Sequence, residues 1–240
     1  MQNKINNLIV VSVLATFLTA CATTEIIDER DPWEGWNRSV HSFNEGLDDY
    51  AMKPVAKGYR WITPSFVDTA ITNVFNNIDD IGVTVNDALQ GKFMQSGLDF
   101  SRFIVNSTAG VGGLVDVATM IDLPKHDEDF GQTLGVWGMP TGPYMVLPFF
   151  GPSSPRGVVG LAGDIAMDPT SYLAPYISTA IHAVNAIDRR ADYLGTEKMA
   201  DEASVFGKYE FYRNSYIEQR QLLVLDGVEL EGEDLLLEYE

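Results

Sequence analysis

Apolar residues recur along this chain at helical spacing. Trp36, Val40, Phe43 and Leu47 follow one another every three or four residues, the repeat that gathers side chains on one face of a helix. Asp31-Pro32-Trp33-Glu34 reads as the start of that helix: Asp can cap, Pro suits the first turn, and Glu suits the positive end of the dipole. Pro54 and Pro64 divide the next stretch into short pieces. Beyond Val67 the positions Ala70, Ile71, Val74, Phe75 and Ile78 fall at helical spacing, and a separate short helix over 83–89 is expected to end at Gln90-Gly91. A helix over 93–106 carries Leu98, Phe100, Arg102 and Phe103, and Gly110, Gly112 and Gly113 then interrupt the pattern. Periodicity returns after Pro175 through Ile177, Ile181, Val184 and Ala191. A last helix covers 208–224, with Tyr209, Tyr212 and Tyr216 near one face as a core stripe. No long alternating run and no internal repeat stands out, so the fold class expected is mostly α.

The stretch 131–163 breaks this regime. It sets Gly and Pro between apolar and aromatic residues, as in Gly142-Pro143-Tyr144-Met145-Val146-Leu147-Pro148-Phe149-Phe150-Gly151-Pro152. So apolar a loop is costly in water. It is either a buried loop or short hairpin, or a loop facing lipid or a partner.

The amino terminus changes the setting. Lys4 precedes an apolar run from Leu8 to Leu18, too short to span a bilayer of ~30 Å, and the pattern is that of an export signal. Leu18-Thr19-Ala20-Cys21 matches a bacterial lipobox, whose cysteine sulfur receives lipid. Residues 1–20 are therefore expected to be a signal peptide and 21–30 a lipidated tether. Residues 31–225 would form the folded domain and 226–240 a flexible acidic tail. Ala22 after the cysteine, where Asp would favour inner-membrane retention, points to the outer membrane. Cys21 is the chain's single cysteine, which excludes an internal disulfide and a Cys-rich zinc site.

Charge narrows the partners. With 16 Lys+Arg against 34 Asp+Glu the formal charge is -18, so nucleic acid is a poor partner and anionic lipid headgroups would repel the body of the protein. Attachment to lipid then falls to acyl chains on Cys21 and to apolar surface, with the acidic residues expected on the water-facing side. Apolar residues at 45% exclude a disordered acidic chain.

Catalytic constellations are lacking. His41, His126 and His182 have no HExxH spacing, and His126-Asp127-Glu128-Asp129 reads as a solvated polar loop before it reads as a cation site. Gly110-Val111-Gly112-Gly113 lacks the Lys-Ser/Thr of a phosphate loop, and Ser153-Ser154 makes no GxSxG elbow. Acid pairs such as Asp48-Asp49 and Asp79-Asp80 point about 100° apart on a helix and do not form a glycosidase pair by spacing. No enzyme activity, metal or cofactor is expected, apart from the covalent lipid on Cys21. Amphipathic helices lying in one leaflet could surround a passage for amphiphiles.

Several blocks, in order, carry a resemblance. They are Asp31-Pro32-Trp33-Glu34-Gly35-Trp36-Asn37-Arg38, Phe43-Asn44 with Leu47-Asp48, Asn73-Val74-Phe75-Asn76-Asn77-Ile78, Leu89-Gln90-Gly91, Arg102-Phe103 and Asn106-Ser107-Thr108-Ala109-Gly110. The most specific is Asp129-Phe130-Gly131-Gln132-Thr133-Leu134-Gly135, followed by Trp137-Gly138, Gly142-Pro143-Tyr144, Leu147-Pro148 and Gly151-Pro152-Ser153. From residue 21 to about residue 220 the sequence resembles the MlaA/VacJ family of outer-membrane lipoproteins. Trp36, Ile81 and Gly157 depart from that family's usual Phe, Pro and Asp.

The resemblance implies a ring of short amphipathic helices around a channel, embedded in the periplasmic leaflet of the outer membrane. It implies removal of phospholipid from the outer leaflet, transfer to a soluble periplasmic carrier of the MlaC type, and association with a trimeric porin. Under that reading the gate or lipid-facing loop is expected at Gly138, Gly142, Pro143, Tyr144, Leu147, Pro148, Phe149, Phe150 and Gly151: the glycines allow hinging and the aromatics offer apolar surface. A porin contact is suggested at Leu123, Pro124 and Asp129. The competing classes are a structural lipoprotein acting through protein contacts and, behind it, a phospholipid-modifying enzyme.

Overall fold

The computed structural model describes residues 28–197, 202, 204 and 207–226. The signal segment, Cys21, the tether up to residue 27 and the tail beyond Asp226 lie outside the described residues. Helix α1 (Glu34–Leu47) runs through a π-helical turn (Asp48–Met52) into α2 (Lys53–Ile62), then come α3 (Ser65–Leu89), α4 (Phe93–Thr108), the single turn α5 (Val117–Met120) and α6 (Phe130–Val136). A hairpin of β1 (Met145–Leu147) and β2 (Gly151–Ser153) leads to α7 (Pro155–Met167), a 3₁₀ turn (Pro169–Tyr172), α8 (Pro175–Tyr193) and α9 (Lys208–Val224).

The elements close into a ring. Helix α2 packs on α8, α8 on α3, α3 on α6, α6 on α9, α9 on β2, and β1 returns to α1. Polar pins hold the joints: Arg190 grips the Asp48 carboxylate at 2.6 and 2.7 Å, and Tyr59 and Thr72 both donate to the buried Asp188, at 2.7 and 3.0 Å.

Burial is inverted relative to a water-soluble protein. Among the described residues about twice as many polar as apolar side chains are buried. Trp61, Phe66, Phe93 and Met94 are each at least 74% exposed. The α3–α4 pair shows why. Asn77, Asp80 and Asp87 lie along one stripe of α3, Asp99, Arg102 and Asn106 along one stripe of α4, and all are buried, while Phe93, Phe100 and Ile104 face outward.

A dry polar seam is tolerable only if its groups find partners. Arg102 donates to both oxygens of Asp116 at 3.1 Å and to the Leu123 carbonyl at 2.5 Å, Lys125 meets Asp80 at 2.8 Å, and His126 Nδ1 lies 2.8 Å from Asp99. Burial would raise the Asp116 pKa, but Thr119, Asn106 and Arg102 override it and hold the group at about 2. Asp87 has no fixed partner for either oxygen among the described residues, and burial together with the neighbouring Asp99 pushes its pKa up.

Several expectations need correction. Acidity does not mark the water-facing side alone, because Asp31, Asp80, Asp87, Asp99 and Asp188 are each no more than 1% exposed. Asp31 does not cap α1. It is sunk beneath it, accepting from Asn37 at 2.7 Å, from Tyr209 at 2.5 Å and from Arg213 at 3.3 Å. The helices expected separately over 67–78 and 83–89 are one 25-residue helix, since nothing between them breaks the backbone pattern. The loop at 126–129 is solvated only in part: Asp127 is exposed, whereas Glu128 is tied to Lys92 at 2.8 Å and Asp129 to Arg220. Helices Phe93–Thr108, Pro175–Tyr193 and Lys208–Val224 lie where periodicity places them. No helix among the described residues is long and apolar enough to cross a membrane.

Candidate functional site: a polar passage through the ring

Inside the ring α3, α6, α7, α8 and α9 border an open-sided cavity of about 420 Å³. Helix α3 presents Asp79, Gly82 and Asn86 to it, three and seven residues apart and so on one face. Gln132 enters from α6, Asp164 from α7 and Arg189 from α8. A second cavity of about 220 Å³ lies against the hairpin, lined by Leu147, Phe150, Leu161, Tyr216 and Arg220. Asp129 and Asp164 border both, so these carboxylates stand between the two cavities. The wall beside them is built by close helix contact: a Cβ on Gly160 of α7 would fall 2.7 Å from the Gly131 Cα of α6, so position 160 needs glycine.

The junction is charged. Asp129 caps α6 by accepting the Gln132 N–H at 2.8 Å, and its two oxygens take both arms of Arg220 at 2.5 and 2.9 Å. Burial works to raise its pKa, yet the guanidinium and the cap hold it below the ordinary value. Asp164 is pushed the other way, to about 6. Burial is the main cause and the charge of Asp129 adds to it, although the Phe130 N–H donates to Asp164 at 2.8 Å. At the far end Arg189 pairs with Asp79 at 2.7 Å. A path from the apolar mouth under the hairpin to the polar chamber would thus pass these two carboxylates.

The hairpin is held by two asparagines of α1. Asn37 donates to the Tyr144 carbonyl at 3.1 Å and accepts the Val146 N–H at 2.8 Å; Asn44 donates to the Leu147 carbonyl and accepts the Phe149 N–H, both at 2.9 Å. Seven helical residues rise about 10 Å, as do three strand residues, so the side chains of one helix face act as a partner strand for β1. Phe43 stacks edge-on against Phe149 at 5.5 Å. The tip, Pro148 with Phe149 and Phe150, is exposed, and Phe149 sits at φ +70.

The gate residues expected from sequence therefore separate. Phe149 and Phe150 form an outward apolar tip, Leu147 lines the mouth, Pro143 is half-buried, and Gly138, Gly142 and Gly151 all have positive φ. Tyr144 does not face outward. It is 2% exposed and packs with Val40, Val146 and Tyr209, because Asn37 pins its carbonyl and turns the ring inward. Pro124 is exposed and Leu123 half-buried with its carbonyl on Arg102, whereas Asp129 turns into the ring onto Arg220. Sequence reading missed Asp79, Asn86, Asp164 and Arg189. The available signal was a polar stripe at helical spacing within otherwise apolar helices.

Outward apolar faces and a polar cavity inside the ring, with no crossing helix among the described residues, define a class: helical proteins that sit in lipid and surround a water-compatible path. The chain belongs to the MlaA lipoprotein family, whose model matches residues 29–223. It is 33% identical over 226 residues to the intermembrane phospholipid transport system lipoprotein MlaA of Shigella flexneri, covering 91% of this chain and 88% of that one. To the protein so named in Haemophilus influenzae it is 28% identical, over 97% of this chain and 96% of the other. A chain solved in work on the structural basis for maintenance of bacterial outer membrane lipid asymmetry superposes with a TM-score of 0.72 at 32% identity, covering 81% of this chain and 98% of that chain.

Proposed function

We propose that this protein is the outer-membrane conduit of a phospholipid transport system. It takes misplaced phospholipid from the outer leaflet through the passage and releases it to a soluble periplasmic carrier, with Cys21 as the acylated anchor. The observation that carries this reading is the polar cavity inside a ring whose outer face is apolar. A headgroup dragged through hydrocarbon costs several kcal/mol per unsatisfied polar group, and Asp79, Asn86, Gln132 and Arg189 offer it partners along the way. Apolar helices around the path keep inner-leaflet lipid out of it. The edge at Leu123 and Pro124 is where a trimeric porin would seat the ring. The chain's own part is passage, with no bond made or broken.

The experiment is removal of the protein from its host, followed by assay of phospholipid in the outer leaflet. Loss should raise surface phospholipid and detergent sensitivity, and the wild-type chain should restore both. Cys21→Ser should restore neither and should leave the outer-membrane fraction. Unchanged lipid asymmetry without the protein would refute the proposal.

A further inference from the structure

The charges along the passage are unequal. Six carboxylates line the larger cavity against one guanidinium, that of Arg189, and Arg220 adds a second in the mouth. Asp79 and Asp129 are held by these arginines and Glu128 by Lys92. Asp164 and Asp168 are held differently. Asp164 takes the Phe130 N–H, Asp168 takes the Thr170 N–H and hydroxyl at 2.8 and 2.7 Å, and the nearest ring nitrogen of His182 stands 3.8 Å from Asp168. Both carboxyls line the larger cavity, and Asp164 borders the second as well.

We infer that the passage selects phospholipids whose headgroup ends in an ammonium, the phosphoethanolamine class, over those with an uncharged polyol such as phosphoglycerol. This rests on the conduit reading above. A zwitterionic headgroup carries a phosphate and a cation a few bonds apart. Arg220, in the mouth beside Leu147 and Phe150, gives one N–H from each arm to Asp129; the guanidinium has five N–H donors, and those left over can meet a phosphate while acyl chains lie against the apolar wall. Asp164, on the border of both cavities, meets the ammonium next, and Asp168 follows in the chamber. A phosphoglycerol headgroup satisfies only the arginine. Its net negative charge then enters a space rich in carboxylates, where partial exclusion of water strengthens repulsion over that in bulk solvent.

The test loads the full-length lipidated protein, purified in mild detergent, from mixed micelles of phosphatidylethanolamine and phosphatidylglycerol in equal amounts with identical acyl chains. Bound lipid is counted by mass spectrometry. The wild type should retain the ethanolamine lipid in excess by about fivefold, the discrimination of one partly exposed charge pair. Asp164→Asn with Asp168→Asn keeps both backbone acceptors and should return the ratio towards one. Arg189→Gln, at an exposed side chain, should move it the opposite way by leaving the chamber more negative. Bound lipid at the input ratio, or a ratio that neither variant moves, would overturn the selectivity alone. Retention of neither lipid would overturn the conduit reading and the selectivity with it.

Discussion

Asp164 is a carboxyl that the fold keeps near the edge of ionisation. Its folded pKa of about 6 stands above the ordinary value of 3.8, so the folded state holds the proton more tightly than the unfolded chain does. Stability is then highest below pH ~4, falls as pH rises towards about 6, and stays lowered above it. Asp164→Asn keeps the acceptor for the Phe130 N–H and removes the buried charge. At pH 7 it should stabilise the protein by about 1–2 kcal/mol after allowance for solvent screening at a half-buried site, and by nothing below pH ~4. Unfolding in micelles at the two pH values checks this. Little at this scale was legible in advance. Asp31 illustrates why: an aspartate before Pro-Trp-Glu fits a helix cap as well as a buried hub, and only the arrival of Tyr209 and Arg213 from far along the chain decides between them.

Elements were more legible. Helical spacing located Phe93–Thr108 because a sustained 3.6-residue repeat is a local property, readable without partners. The merger of 67–89 into one helix was missed because the run of Asn and Asp in the middle looks like a break in water. Here two of those side chains, Asn77 and Asp80, belong to the buried stripe facing α4. The hairpin within 131–163 was one of two open readings. Its outer edge is completed by Asn37 and Asn44, whose role needs the helix and the strand side by side.

This clamp bears on how a gate is tested. Gly142→Val combines φ +73 with a Cβ 2.9 Å from the Pro155 side chain, so it disturbs packing whether or not the loop moves. Asn44→Ala removes only the two hydrogen bonds at the tip and leaves those of Asn37. Loss of both costs about 1–3 kcal/mol locally. Hydrogen exchange at Phe149 should speed up by tenfold or more while exchange at Val146 stays slow. Equal acceleration at both would mean that the hairpin opens as one piece and that Asn44 is no separate latch.

At the scale of the molecule, the sequence shows which faces are apolar but not which way they turn. Periodicity is the same for a helix in a soluble core and one seated in lipid. The sign is set by what surrounds the ring, and it reverses the meaning of each stripe. The lipobox cysteine and the apolar loop point to lipid, yet the acidic composition by itself suggests an outer, water-facing face. Many instead pack inward, where a ring around a polar passage needs them. Exposed Trp61, Phe66, Phe93 and Met94 follow from the same inversion, each worth roughly 1.5–3 kcal/mol when covered by hydrocarbon.

The central claim is that phospholipid enters the ring. A photoreactive amino acid at Gln219, in the wall of the larger cavity, compared with one at Phe100 on the outer face, tests it in living cells. Illumination should attach a whole diacyl phospholipid at both positions. Excess of a free short-chain phospholipid that fits the passage should suppress the adduct at Gln219 and spare that at Phe100. Lipid adducts at Phe100 with none at Gln219 would contradict the account, because lipid would then surround the ring without passing through it.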